Sequence, residues 1–547
     1  MTAPVAPAAS ASRVQEPQSA GPGGASKRGP SRRAPRWLWV ASGLVLIPIT
    51  LPIAALVVRV VGASDEALSI LVDARTLELF ARSTLLTTLV TAAAIVIGVG
   101  AAWITVSTDL PGRSVWAVLV ALPLVVPSYV IALSFLSATG PRGLVARITG
   151  ADLPVLDGLA GAWLALTLST FPYVFLIVAA ALRRIDPALE DAARGLGAPP
   201  FRVFRTVTLP QLRPAIGAGA LLAALYTLSD FGAVSLMRFD AFTRVIYAQY
   251  AGRLDRTPAA VLSVALLVIA LVIIWGEERT RGSAAYFSRR PNRRALPRHL
   301  SPVGRVAATG ALGVIVVAGL ILPVVVLVSW VADGSGLDTG PVIDWAAIGG
   351  SLLGSSLAAI VAMAAAIPVV VLAVRYDSRA SVWLERSVFV AFSLPHITVA
   401  IAVVFFSVRY LGPLYQSLTV LVVVYASVFL AQATGSAKAS MLQVDPAVEE
   451  ASRGLGRGAW TTLRSITIPL IRPGLLAGGA LVFLTTMKEL PATLLLRPTG
   501  FDTLAVDIWS AANELLYAQA AGSALVLLAI SAVPMYVLVL HQKDVAV

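Results

Sequence analysis

Twelve predominantly apolar runs constrain this chain more than any other feature: 37–59, 83–107, 115–138, 158–182, 213–232, 258–275, 303–331, 351–374, 382–407, 416–437, 473–490 and 519–540. Each is near the roughly 20 residues that carry an α-helix across a bilayer. Lipid offers backbone N–H and C=O groups no water, so a spanning segment must pair them internally, which a helix does within itself. The expectation is an all-α integral membrane protein with about twelve transmembrane helices. Composition agrees, since 57% of the 547 residues are hydrophobic and 13% charged, against roughly 25% charged in soluble domains. A soluble globular enzyme is thereby excluded. The absence of cysteine removes disulfides, iron–sulfur clusters and thiolate metal sites, and three histidines speak against a histidine-built metal cage.

The net charge of +13 would suggest nucleic acid in a soluble protein, but its placement points to the lipid surface and to no nucleic acid. Residues 1–36 carry Arg13, Lys27, Arg28, Arg32, Arg33 and Arg36 against Glu16, and 276–302 carry seven Arg against Glu277 and Glu278. The first 36 residues, rich in Ala, Pro, Ser and Gly, cannot bury a core and read as a disordered cytoplasmic tail. The run beginning at Trp37 continues through Val58, too long for the apolar core of a cleaved signal. With the amino terminus inside, the loops 108–114, 183–212, 276–302, 375–381 and 438–472 are cytoplasmic, as is the carboxyl terminus. Basic residues accumulate on that side of a membrane. Arg183, Arg184, Arg194, Arg202 and Arg205 fill one such loop, and Lys438, Arg453, Arg457, Arg464 and Arg472 fill or edge another. The outward loop 332–350 carries Asp333, Asp338 and Asp344 and no Lys or Arg.

The chain is an internal duplication. An offset of 259 lays Asp186 to Pro214 on Asp445 to Pro473 without a gap, and 14 of the 29 positions are identical. At an offset of 268, Pro127 and Ala132 fall on Pro395 and Ala400 in the third span of each half. Six spans separate equivalent points, so the halves keep one orientation, a parallel repeat. The domains are 37–275 and 303–547, six spans each, joined by a basic linker at 276–302.

Each repeated loop has a readable local structure. Asp186 and Asp445 suit a helix N-cap, Pro187 and Pro446 the first turn, and Glu190, Asp191, Glu449 and Glu450 the positive end of the dipole. Gly195 and Gly197, with Gly454 and Gly456, break that helix. A second short amphipathic segment follows, Phe201 to Leu209 or Trp460 to Ile468, which Pro210 or Pro469 is expected to end. A rigid protrusion with an exposed Phe or Trp is suited to docking a partner.

These loops resemble the EAA loop of type I ABC importer permeases, a pattern of Glu-Ala-Ala, three residues, Gly, nine residues, Ile, any residue and Leu-Pro. Here it reads Asp191-Ala192-Ala193, Gly197, Val207, Leu209-Pro210 and, again, Glu450-Ala451-Ser452, Gly456, Ile466, Ile468-Pro469. The departures preserve size or charge. The resemblance implies two tandem six-helix permease domains with EAA loops at 183–212 and 438–472. It also implies Asp191, Ala192, Gly197, Glu450, Ala451 and Gly456 as the residues that couple to two copies of a separate ATPase. It further implies an extracytoplasmic solute-binding protein and residence in the bacterial cytoplasmic membrane. No catalytic residue is expected. A phosphate-binding loop needs Gly-Lys followed by Ser or Thr, and none of Lys27, Lys438, Lys488 and Lys543 follows a Gly. ATP and Mg would therefore sit on the partner, with no cofactor on this chain.

Ser229-Asp230-Phe231-Gly232-Ala233 aligns with Lys488-Glu489-Leu490-Pro491-Ala492. The strings Met487 to Arg497, Phe501 to Ala505 and Tyr226 to Met237 resemble the fused ferric-iron permeases, which implies iron as cargo. Asp230, Lys488 and Glu489 are candidates for lining the pathway or gate, for contacting the binding protein, or for an interhelical ion pair. His396, inside a span, is expected to be satisfied by a neighbouring helix. Pro127 and Pro395 are expected to kink their spans and shape the pathway. Two alternatives stay open: the same machinery carrying thiamine, a polyamine or an inorganic anion, and a secondary transporter driven by an ion gradient.

Overall fold

A computed structural model describes residues 34–544 apart from 142, 152, 184, 186, 282–297, 334–342 and 377. The tail up to residue 33, the Asp186 cap, the middle of the joining stretch and Asp338 lie outside the described residues. Among the described residues the chain is helical throughout, with one isolated backbone bridge, between Thr108 and Arg298. Ten helical stretches are long and apolar enough to span a membrane, and two bent helix pairs raise the number to twelve if each is one span. All twelve expected runs are thus accounted for, although not all are straight.

The third span of the first half turns by 93° between Arg113–Leu124 and Ser128–Ala138. Pro127 does more than kink it: the residue is the N-cap of Ser128–Ala138 and ends one helix before starting another. Pro395 stands likewise at the start of His396–Phe406, after Arg379–Phe392 has stopped. Arg113–Leu124 rises only about 18 Å, short of the roughly 30 Å of hydrocarbon, so this helix alone does not cross a bilayer. A third interruption, a 50° bend between Leu418–Val428 and Leu430–Met441, has no proline at all. It falls at Phe429, whose ring packs edge-on against His396 at 5.3 Å.

The fifth spans correct a second expectation. Pro210 and Pro469 terminate nothing, because one continuous helix runs Phe204–Ser229 and another Ala459–Met487. Each proline is preceded by one π-helical turn, Phe204–Thr208 or Leu463–Thr467, in which Leu209 N–H reaches Phe204 O and Ile468 N–H reaches Leu463 O. The wider turn relieves the clash of the proline ring with the preceding carbonyls, as such bulges do elsewhere.

Sequence halves and packing halves do not coincide at their first spans. Arg36–Gly62 packs on Trp345–Arg375, His396–Phe406 and Leu418–Val428 of the second half. Leu38 is buried among Val370, Leu372, Ala437 and Met441, and Arg59 lies over the Phe405 ring at 4.5 Å. Reciprocally, Leu322–Asp333 packs on Ser128–Ala138 of the first half, and Arg147 pairs with Asp333 at 2.7 Å.

Small residues let the spans within each half approach closely. A Cβ on Gly219 would stand 2.8 Å from the Val174 Cα, and one on Gly478 would stand 2.7 Å from the Ala433 Cα. Both pairs are related by the 259-residue offset, so the repeat extends into the membrane as a packing rule. Gly219→Leu or Gly478→Leu is expected to destabilise the chain by about 1–3 kcal/mol through overpacking, read as a lower melting temperature in detergent. Gly43→Leu, where nothing lies within 4 Å, is the control and leaves melting unchanged. Equal melting of all three variants would show that the close approach is dispensable.

Candidate functional site

The repeated loops fold as one motif used twice. Pro187–Gly195 and Pro446–Gly454 are short helices, and Asp445 caps the second by accepting from the Ala447 N–H at 2.9 Å. Gly197 and Gly456 both have φ of +81°. The same pair of bonds closes each turn, Ala198 N–H to Ala193 O with Gly197 N–H to Arg194 O, and Arg457 N–H to Ser452 O with Gly456 N–H to Arg453 O. This is the Schellman ending, which needs glycine in the left-handed conformation. Gly195 and Gly454 are the last helical residues and take no part in that conformation.

Asp191, Ala192, Gly197, Glu450, Ala451 and Gly456 are all exposed on these projections. Beside them stand Leu196 and Leu455, 88% and 83% exposed, and Trp460, 62% exposed. Phe201, expected to be exposed, has a side chain outside the described residues. Each glycine turn thus leaves one leucine exposed on its projection, a feature that the sequence pattern does not single out although both leucines belong to the identical positions of the repeat.

The first acid of each loop turns inward instead. Glu190 accepts from Thr208 Oγ1 at 2.5 Å and from Arg298 Nη2 at 2.8 Å. Glu449 accepts from Thr467 Oγ1 at 3.0 Å and from Nε and Nη2 of Arg375, at 3.1 and 3.2 Å. Each carboxylate thereby ties the short helix to the π-turn at the foot of the fifth span. Glu190, Glu449, Thr208 and Thr467 are all repeat identities, so the sequence carries the signal, although the helix dipole alone does not pair these residues. Burial acting alone would raise the Glu190 carboxyl; the hydrogen bonds of Thr208 and Arg298 and the charges of Arg298 and Arg194 outweigh it and hold the group below its ordinary value. Asp109, in the loop after the second span, is held well below the usual carboxylate range by the Leu300 N–H, Arg305 and His299.

The candidate pathway residues meet where the third spans break. Asp230 accepts from Ser128 Oγ and from the Ala233 N–H at 2.9 Å. Glu489 meets His396 Nδ1 at 2.8 Å and accepts from the Ala492 N–H at 3.1 Å. Ser128 and His396 follow Pro127 and Pro395 directly, so the two arrangements are copies: an acid after the fifth span bonded to the residue after the third-span proline. His396 is satisfied by a neighbouring element, as expected. Lys488 forms no ion pair with these acids; its Nζ donates to Leu124 O across the halves at 2.8 Å, a carbonyl that the break at Pro127 has left without a helical partner. Next to Asp230, Phe231 and Tyr247 of the first half close on Trp509 of the second, with ring centroids 4.9 to 5.9 Å apart.

Two parallel six-span units, each with a projecting loop and a broken third span, define a multi-pass transport subunit of the membrane. The chain belongs to the family of binding-protein-dependent transport system inner membrane components, which matches residues 94–276 and again 358–545. It is 32% identical to the Fe(3+)-transport system permease protein FbpB 2 of Haemophilus influenzae over 93% of this chain and 98% of that protein. It is 26% identical to the putative ferric transport system permease protein FbpB 1 of the same organism, over 69% of this chain and 63% of that one. The molybdenum transport system permease protein ModB of Escherichia coli is 33% identical over 32% of this chain and 82% of its own. The protein is thus a fused ABC-type permease of the inner membrane, and its role is transport.

Proposed function

We propose that this permease moves ferric iron into the cytoplasm by ATP-driven alternating access. An extracytoplasmic binding protein would deliver the ion, and two copies of an ATPase subunit carrying ATP and Mg would supply the energy. The observation that carries the coupling reading is the doubled projection, with one exposed acid and one exposed leucine ahead of the glycine turn in each loop. Both termini and both loops are then cytoplasmic. Closure of the ATPase pair would push the short helices, and Glu190 and Glu449 would pass that displacement to the fifth spans, whose far ends carry Asp230 and Glu489. Opening outward would part Trp509 from Phe231 and Tyr247.

Iron as cargo is supported by the ferric relatives, one of which is matched over nearly its full length. The charge at the breaks is compatible with a cation: two acids stand there against one lysine, each held by a polar partner. The molybdenum relative ModB matches 32% of this chain, against 93% for the first ferric relative.

Uptake of radiolabelled ferric iron, in cells lacking the gene and supplied with either the intact chain or Asp191→Lys with Glu450→Lys, tests both parts. Restoration by the intact chain alone is expected. Failure of both, with each present in the membrane beside its ATPase, would overturn iron; equal restoration would overturn the coupling role.

A further inference from the structure

The two projecting loops are anchored by the same carboxylate but by arginines from different places. In the second half Arg375, the last residue of Trp345–Arg375, grips Glu449 through Nε and Nη2, and Nη2 also donates to Val444 O at 3.1 Å. At the offset of 268 that pairs Pro127 with Pro395, position 375 falls on Ser107. A serine there cannot reach Glu190. The end of the joining stretch fills the gap: the Arg298 N–H donates to Ser107 O at 2.9 Å, and the Asp109 N–H donates to Arg298 O at 3.0 Å. The main chain of Arg298 is thus laid beside the position that lacks an arginine, and its guanidinium arrives on Glu190. The side chain is only 14% exposed and lies over the Trp103 ring, 5.7 Å from its centre. Asp109 fastens the same segment through the Leu300 N–H at 2.9 Å, His299 at 2.9 Å and Arg305 at 2.7 Å.

We propose that Arg298 is a positioning residue for coupling: the stretch that joins the halves supplies, from outside the repeat, the arginine that holds the first projecting helix against the foot of its fifth span. The inference rests on the importer reading above. It gives the linker a function beyond tethering, because a first half without the linker lacks the clamp that the second half carries within itself.

The test uses the full chain in lipid nanodiscs, first alone and then with its ATPase subunits. Limited proteolysis of the chain alone reads how firmly each loop is held. Arg298→Glu is expected to speed cleavage within 183–212 by about tenfold or more, because cleavage follows the population of the opened loop, and to leave 438–472 unchanged; Arg375→Glu does the reverse. With the ATPase present, Arg298→Glu raises the ATP hydrolysed per solute moved, and the exchange Glu190→Arg with Arg298→Glu restores both readouts toward the intact chain. Should Arg298→Glu fail to reach the membrane, Arg298→Gln gives the same comparison without placing a second negative charge beside Glu190. Equal cleavage of the intact and Arg298 variants, or no recovery on exchange, overturns the proposal. An intact chain that binds no ATPase sinks the importer reading instead, while the proteolysis still decides the clamp.

Discussion

Changing both Gly197 and Gly456 to valine is expected to lower solute uptake by on the order of a hundredfold, the loss that a displacement of about 1 Å produces in a positioned machine. Both residues sit at φ +81°, where a β-branched side chain is strained by about 1–2 kcal/mol. The strain is relieved by opening the Schellman turn, and the turn is what aims Leu196 and Leu455 outward. No atom lies within 4 Å of a Cβ at either position, so the membrane fold has no steric reason to suffer. Normal abundance in the membrane, loss of ATPase co-purification and loss of uptake form the expected pattern. Gly195→Ala with Gly454→Ala is the matched control, since neither glycine has positive φ or a crowded neighbourhood, and it retains uptake. Full transport by the valine pair would show that the aimed leucines do not dock anything.

The paired substitution Asp230→Asn with Glu489→Gln removes both buried acids while keeping their shapes. A unit charge about 4 Å from a cation is worth up to roughly 4 kcal/mol at an effective dielectric of 20, so loss of both is expected to lower cation uptake by on the order of a hundredfold. Amides still accept from the Ala233 and Ala492 N–H groups and from Ser128, so the melting temperature in detergent should move little. Uptake and melting measured side by side separate the two roles. A large fall in melting temperature with uptake per folded molecule unchanged would assign the acids to structure and remove the charge argument for a cationic cargo.

Some of this was legible because lipid narrows the choice of backbone. Once twelve runs of spanning length are recognised, helices follow from the need to pair every backbone group internally, and the runs fell where the helices are. The 29-residue repeat located both projections, and its glycines marked the turns because few residues other than glycine adopt the conformation found at Gly197 and Gly456. The same rules misjudged the prolines. Pro210 and Pro469 looked like terminators, but a π-turn absorbed each of them; Pro127 and Pro395 looked like kinks and became helix starts. Whether a proline ends a helix depends on how neighbouring helices receive the freed carbonyl, as Lys488 receives Leu124 O.

By itself, then, the sequence determined the number and type of spanning elements, the parallel duplication, and the position and turn chemistry of the two loops, because these follow from local periodicity, spacing and the conformational limits of single residues. Tertiary structure alone decided that the first span of each half packs on the other half, that Ser128 and His396 meet Asp230 and Glu489, and that Arg298 stands in for Arg375. These are contacts between residues dozens to hundreds of positions apart. Their partners are chosen by which buried polar group is left unpaired when the helices close, and no local pattern carries that information.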